Sequence, residues 1–227
     1  MTTLAAIAND MSERRQPMAV VIAKALREAI LKGVLKGGEP LRQDSLGKRF
    51  GVSQVTVREA LRLLSEEGLV QVVPRKGAFV YTLSAEEAAE ITHLRVLLEG
   101  ELIQAAIPRL GEADYSKAQR IIDAIDRAAK EALLSLNVEF HKVLYAKAAR
   151  PRTEAIVERL RLTLEPYLRL LWAQTGYQAY SQRDHQKLLD LCKKKKTTEA
   201  RRLLEGHIGR TGKKIEALMR IIPEARP

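Results

Sequence analysis

A single cysteine, Cys192, stands in the 227-residue chain. That count excludes an intramolecular disulfide framework and any multi-cysteine metal cluster. Aromatic residues are scarce at 4%. Ala, Leu, Lys, Arg and Glu dominate instead, which favours helices over an all-β design. No apolar run approaches the roughly 18–20 residues that span a bilayer. The opening stretch MTTLAAIANDMSERRQ has no charged region ahead of its short apolar segment, so no secretory signal is expected. These absences predict a reducing, cytoplasmic setting and no membrane partner.

What is present is ordinary globular material, 46% apolar and 30% charged. Lys and Arg number 39 against 28 Asp and Glu, a formal charge of +11. The excess is spread evenly: residues 1–82 carry a net +5 and residues 83–227 a net +6. Charge alone therefore does not locate a nucleic-acid surface.

The spacing of apolar residues predicts a mainly α protein of two domains. Residues 1–16 read as an arm. From Pro17 a helix carries Val21, Ala25, Ala29 and Ile30 at helical spacing and ends at Gly33 and the Gly37-Gly38 pair. A short helix follows, with Asp44 as expected N-cap and Leu46 and Phe50 expected to face inward. After the break Phe50-Gly51-Val52-Ser53, a helix capped by Ser53 places Val57, Ala60, Leu61 and Leu64 on one face and stops at Gly68. The period then changes. Leu69–Val73 and Ala78–Thr82 are strand-like and flank the turn Pro74-Arg75-Lys76-Gly77. Helix, helix–turn–helix, hairpin is the order of a winged helix, over residues 17–82. Residues 83–222 read as about six helices, an all-α bundle, with a tail at 223–227. Its first helix shows the stripe Ala88, Ile91, Leu94, Leu98, Leu102 behind a Ser84/Glu87 capping box. Pro166 predicts a kink, and the run Lys193–Lys196 a solvated loop.

A helix that reads DNA must offer polar side chains opposite its buried stripe. Gln54, Arg58 and Arg62 recur every four residues away from Val57, Leu61 and Leu64, with Ser53 and Thr56 at the N-terminal end. Arg75 and Lys76 at the hairpin tip are placed to reach a groove or phosphate. Arg42 completes the candidate set. Spacing by itself fits an ordinary amphipathic helix with exposed arginines equally well.

The segments Leu35-Lys-Gly-Gly-Glu-Pro-Leu41, Phe50-Gly-Val-Ser-Gln-Val-Thr-Val-Arg-Glu-Ala-Leu61, Glu67-Gly-Leu-Val70 and Arg75-Lys-Gly-Ala-Phe-Val80 resemble the N-terminal domain of GntR-family bacterial transcription factors. The resemblance implies a homodimer that binds palindromic operator DNA. The usual family pattern is Val-Ser-Arg-Thr-Pro-Val-Arg-Glu-Ala-Leu, whereas this chain has Gln54, Val55 and Thr56 in place of Arg, Thr and Pro. Gln can bond adenine bidentately and Val55 can meet only apolar groups such as a thymine methyl, so an operator altered under Gln54 is expected.

The bundle holds a second constellation. Asn137 and His141 are four apart, on one face of one helix; His185 and His207 lie on the last two helices. Three imidazoles and an oxygen from a bundle can enclose a metal; equally, each His can be an ordinary buried or surface residue. The motifs Leu94-Arg-Val-Leu-Leu-Glu99, Asn137-Val-Glu-Phe-His141, Asp184-His-Gln-Lys-Leu-Leu189 and Leu204-Glu-Gly-His-Ile208 resemble the FCD effector domain of the FadR subfamily, the shorter VanR-like group being one candidate within it. That resemblance implies a divalent metal on Asn137, His141, His185 and His207, with Asn137 where the family more often has Asp. Three imidazoles suit Zn²⁺ or Ni²⁺, and Mn²⁺ stays open. Such an ion takes the carboxylate of a small organic acid effector, with Arg95 as candidate partner; a salt bridge from Arg95 to Glu99 at i+4 is the competing role.

The expectation is a DNA-binding regulator and not an enzyme, a repressor released by a small acid, with activation left open. Two alternatives stand beside it: a DNA-binding protein whose histidines merely fill the core, and a metal-dependent hydrolase. The second lacks an H-E-x-x-H motif, and Glu139 points off the Asn137–His141 face.

Overall fold

The computed structural model describes residues 17–175 and 178–220; the expected arm at 1–16 and tail at 223–227 lie outside the described residues. The chain divides into two compact units, meeting in sequence between Thr82 and Leu83.

In the first unit, α1 (Met18–Leu31) buries Ala19, Ile22, Ala23, Leu26 and Ile30, one helical face, and Gly33 ends it at φ +72°. α2 (Gln43–Phe50) differs from expectation at both ends. Its N-cap is Arg42 rather than Asp44, which sits in the first turn where its charge still favours the amide dipoles. Phe50 is 36% exposed, being the last helical residue before the left-handed Gly51, while Leu46 is buried as expected. α3 (Gln54–Glu66) is capped by Ser53, whose Oγ accepts the Thr56 N–H at 3.2 Å. Its buried residues are the four predicted, Val57, Ala60, Leu61 and Leu64.

A short antiparallel hairpin follows, β1 (Val70–Val73) and β2 (Gly77–Val80), in register Val70↔Val80 to Val73↔Gly77. The reversal is made by Arg75 at φ +65° and Gly77 at φ +103°. A bridge from Pro40 to Phe79 adds the inter-helix segment to the hairpin edge. Arg27 Nε donates to Glu67 Oε2 at 2.7 Å and ties α1 to the end of α3.

Six helices fill the described part of the second unit: α4 (Ala85–Ala106), α5 (Glu112–Arg127), α6 (Lys130–Tyr145), α7 (Pro151–Thr175), α8 (Gln178–Lys193) and α9 (Thr197–Met219). α7 passes through Pro166 as one helix. Ser84 and Glu87 form the predicted capping box: Oγ accepts at 3.1 Å and the carboxylate accepts at 2.9 Å. α4 packs along α9 and against α6 and α7. Phe140, Leu102, Leu189 and Leu204 lie in the core between helices.

The stripe read on α4 is correct only in part. Ala88 and Leu102 are buried, but Leu94 is 38% exposed, and the buried set includes Thr92, Glu99, Gly100 and Ile103. A helix enclosed by three others has no single apolar face, and Glu99 goes inside because its partners are there. Close approach of α4 and α9 is permitted by Gly212, where a Cβ would lie 2.7 Å from Thr92 Cβ.

The lysine run is exposed and turns the chain between α8 and α9, as expected of a solvated loop, and one of its lysines also bonds back to the bundle. Lys195, at φ +53°, donates from Nζ to the carbonyls of Ile107 at 2.8 Å and of Leu110. It thereby adds a donor to carbonyls that follow the end of α4.

Candidate nucleic-acid interface and candidate metal centre

On α3, Ser53, Gln54, Val55, Arg58 and Arg62 are exposed and Thr56 is half-buried, opposite the apolar face that packs on α1. Ser53 and Thr56 are partly occupied by each other, their hydroxyl oxygens 2.9 Å apart. Arg62 is committed within its own helix: Nη2 lies 2.7 Å from Glu59, and Nη1 pairs with Glu66. Arg42, Arg75 and Lys76 are exposed, the last two at the hairpin turn. The helix therefore offers Gln54 and Arg58 outward, with the short apolar side chain of Val55 64% exposed beside them.

In the bundle, α6, α8 and α9 bring His141, His185 and His207 together. One ring nitrogen of each falls within 4.8 Å of the others, and the residues are only 3%, 2% and 7% exposed. Ring centroids are 5.1 Å apart for His141–His185 and His185–His207, and 5.6 Å for His141–His207. Phe140 packs on His185 at 4.6 Å.

Each ring is held at Nδ1 by a different acceptor, and the acceptors fix the tautomers. Tyr145 donates its phenolic proton to Glu99 Oε2 at 2.7 Å, so its oxygen is free to accept from His141 Nδ1 at 3.3 Å. Gln182 donates its amide to the Ile122 carbonyl at 2.9 Å and to Asp126 at 3.2 Å. Its carbonyl oxygen therefore faces His185, 3.1 Å from Nδ1. Asp184 Oδ2, an obligate acceptor, lies 3.3 Å from His207 Nδ1 and accepts from Arg210 at 2.6 Å. In a neutral ring this bracing places the proton on Nδ1 and leaves the lone pair on Nε2.

The free lone pairs include an orphan. His185 Nε2 is buried with no hydrogen-bond partner among the described residues, and so is Asn137 Oδ1, one turn before His141 on α6. A lone pair buried without a donor is costly, and a cation is the partner it lacks. Neutral imidazole nitrogens braced at the opposite atom by oxygen acceptors are what a borderline cation such as Zn²⁺ or Ni²⁺ requires, so the residues present fit a divalent metal.

Glu99 is the charged centre behind this cluster. Fully buried, it accepts from Arg95 Nε at 2.8 Å and is paired with Arg161. Burial alone would raise its pKa, but Arg161, Arg95 and the hydrogen bonds from Arg161 and Tyr145 outweigh that and hold it at about 2. Tyr145 is pushed well above its ordinary value, by burial first and then by Glu99, which keeps its proton available to donate. Burial first, then Arg161 and the neighbouring imidazoles, keeps His141 well below its usual range.

Arg95 thus makes the i+4 bond to Glu99; that bond uses Nε and does not involve the two Nη groups. Glu139 is exposed and 3.8 Å from Lys117. Sequence reasoning missed Tyr145, Gln182 and Arg161. The first two were within reach, each three or four residues from a histidine on its own helix. Arg161 lies sixty-two residues from Glu99 and carried no local signal. Burial pushes the Cys192 thiol up to about 12, which leaves it chemically quiet.

Comparison with known proteins identifies both domains. The family described as bacterial regulatory proteins, gntR family, matches residues 19–80, and the FCD domain matches residues 90–210. The HTH-type transcriptional regulator YdhC of Bacillus subtilis is 26% identical over 188 residues, covering 80% of this chain and 84% of that protein. The HTH-type transcriptional repressor RspR of Escherichia coli is 28% identical over 154 residues, 66% of this chain and 68% of that one. A crystal structure of a GntR-family transcriptional regulator from Pseudomonas syringae is 34% identical, covers 89% of this chain and 87% of its own, and superposes with a TM-score of 0.52.

Proposed function

Because the chain belongs to the GntR family of bacterial transcriptional regulators, with a DNA-binding N-terminal domain and an FCD effector domain, we propose that it is a repressor released by a small carboxylic acid at a metal held by Asn137, His141, His185 and His207. The observation that carries this reading is a buried cluster of three imidazoles, each bonded to an oxygen at Nδ1, in which His185 Nε2 has no hydrogen-bond partner among the described residues. When bound, the ion supplies a Lewis-acidic centre with positions open to a carboxylate. Arg95 offers its Nη groups to the same acid while Nε stays on Glu99. RspR, named a repressor, supports the direction of control.

At the DNA, Gln54 reads a base edge, Arg58 and Arg42 hold phosphate, and Arg75 and Lys76 reach from the hairpin turn. Ser53 and Thr56 set the start of the reading helix, and Arg62 holds it through its two glutamates. The protein works in the cytoplasm as a homodimer on a palindromic operator, matching two-fold protein symmetry to two half-sites. An acid regulates only by favouring one placement of the two DNA-reading domains over another.

The test is footprinting on DNA selected from random sequence, with zinc and a panel of small carboxylic acids. The reading expects an acid that releases the DNA from the native protein and fails on His185→Ala. Release that survives His185→Ala contradicts it.

A further inference from the structure

The outer face of α8 and α9 carries an open groove of about 550 Å³, lined by none of the three histidines. Its floor is apolar. Leu191 on α8 and Leu203 on α9 are half-buried there, packed against the bundle core. Its rims are charged and exposed: Lys187 and Lys194 from α8, Arg202 and Arg210 from α9, with Asp190 and Glu199 among them. Gly206, one turn before Arg210 on α9, adds no side chain to fill the space. A Cβ there would lie 3.0 Å from Arg210 Nη1.

The charges of this face do not neutralise one another. Asp190 accepts from Gln186 at 3.2 Å, Glu199 pairs with Lys196 at 2.9 Å, and Arg210 is bonded inward to Asp184 at 2.6 Å. Lys187, Lys194 and Arg202 have no side-chain hydrogen bond or ion pair to a described residue. Four cations thus line the groove against two carboxylates, and adding the partners Asp184 and Lys196 leaves the same surplus of two. A small molecule needs most of its surface enclosed, and exposed rims enclose little. A two-fold pairing of copies would set this positive face against itself. A DNA backbone would meet the cations but leave the two leucines without an apolar contact.

We propose that the α8–α9 groove is a docking surface for an acidic amphipathic helix of a partner protein. Apolar anchors at i, i+3 and i+7 rest on Leu191 and Leu203, and flanking carboxylates meet Lys187, Lys194 and Arg202. The bundle then has a partner site distinct from its histidine cluster, and the proposal stands whether or not that cluster binds metal.

The probe is a fluorescein-labelled peptide of about fifteen residues, with Leu at i, i+3 and i+7 and with Glu and Ala elsewhere. Fluorescence anisotropy with the full chain is expected to show binding. In Lys187→Glu/Arg202→Glu it should weaken about tenfold or more. The control Lys147→Glu/Arg152→Glu makes the same charge change at exposed residues elsewhere and should bind as the native chain does. Serine in place of the peptide's leucines should also weaken binding about tenfold. No binding by the native chain, equal binding by the two variants, or indifference to the leucines overturns the proposal. Random-sequence duplex DNA should bind the two variants alike, and sedimentation should give both the native oligomeric state. A selective loss of DNA binding in the groove variant assigns the face to nucleic acid. A selective change in its oligomeric state assigns the face to a second copy. Either result overturns the proposal.

Discussion

Tyr145 gives its proton to Glu99 across 2.7 Å and, by doing so, turns an oxygen lone pair toward His141 Nδ1 at 3.3 Å. A residue on α6 and one on α4 thus decide which nitrogen of an imidazole is free. Tyr145→Phe deletes that acceptor with little change in volume. Zinc affinity, read by competition with a colorimetric chelator, is expected to fall about tenfold or more. Thermal stability should change far less than for a change at Glu99.

Glu99→Gln leaves Arg161 buried without its carboxylate. Loss of about 3–5 kcal/mol in urea unfolding is expected. The pH dependence follows from the depressed pKa. Glu99 sits at about 2 in the folded protein against 4.5 when free. Its contribution is therefore complete above about 4.5 and is lost as pH falls toward 2. The native chain should lose stability across that window, and Glu99→Gln should show a flatter profile there.

Gly212 and Thr92 set the distance between α9 and α4, and a Cβ at Gly212 meets the Thr92 side chain. Gly212→Ala is expected to cost about 1–3 kcal/mol by overpacking. Adding Thr92→Ala should recover part of it. The double-mutant cycle in denaturant unfolding measures the coupling, and strictly additive effects would rule the contact out as the cause.

Arg58 and Arg62 lie four apart on α3 but differ in commitment. Arg62 is paired with Glu59 and Glu66. Arg58→Ala is expected to weaken binding to all sequences alike and to reduce the salt slope by about one. Arg62→Ala should change the slope less. Gln54→Arg should instead alter base preference in selection from random DNA, and an unchanged preference would remove Gln54 from the reading set.

Much of this was legible where the cause is local. Ser53 capped α3 as read, and Val57, Ala60, Leu61 and Leu64 are buried, because a cap and a helical repeat act within a few residues. The three histidines were also legible, as a motif set, and they do converge. The misreadings have non-local causes. Leu94 looked like core, yet α4 is held from three sides and turns Glu99 and Gly100 inward instead. Glu99 is inside because Arg161 arrives from another helix, which no window along α4 contains. Lys195 is exposed as read, but its bonds to the carbonyls of Ile107 and Leu110 carried no local signal, because those acceptors are more than eighty residues away.

The central claim is that His141, His185 and His207 turn three Nε2 lone pairs onto one divalent ion. Metal content of the protein, reconstituted with zinc in acetate and dialysed against acetate without chelator, tests it most directly. The account predicts one zinc per chain in the native protein and none in His185→Ala of unchanged helical content. Zinc that is absent from the native protein, or that persists undiminished in His185→Ala, would contradict it.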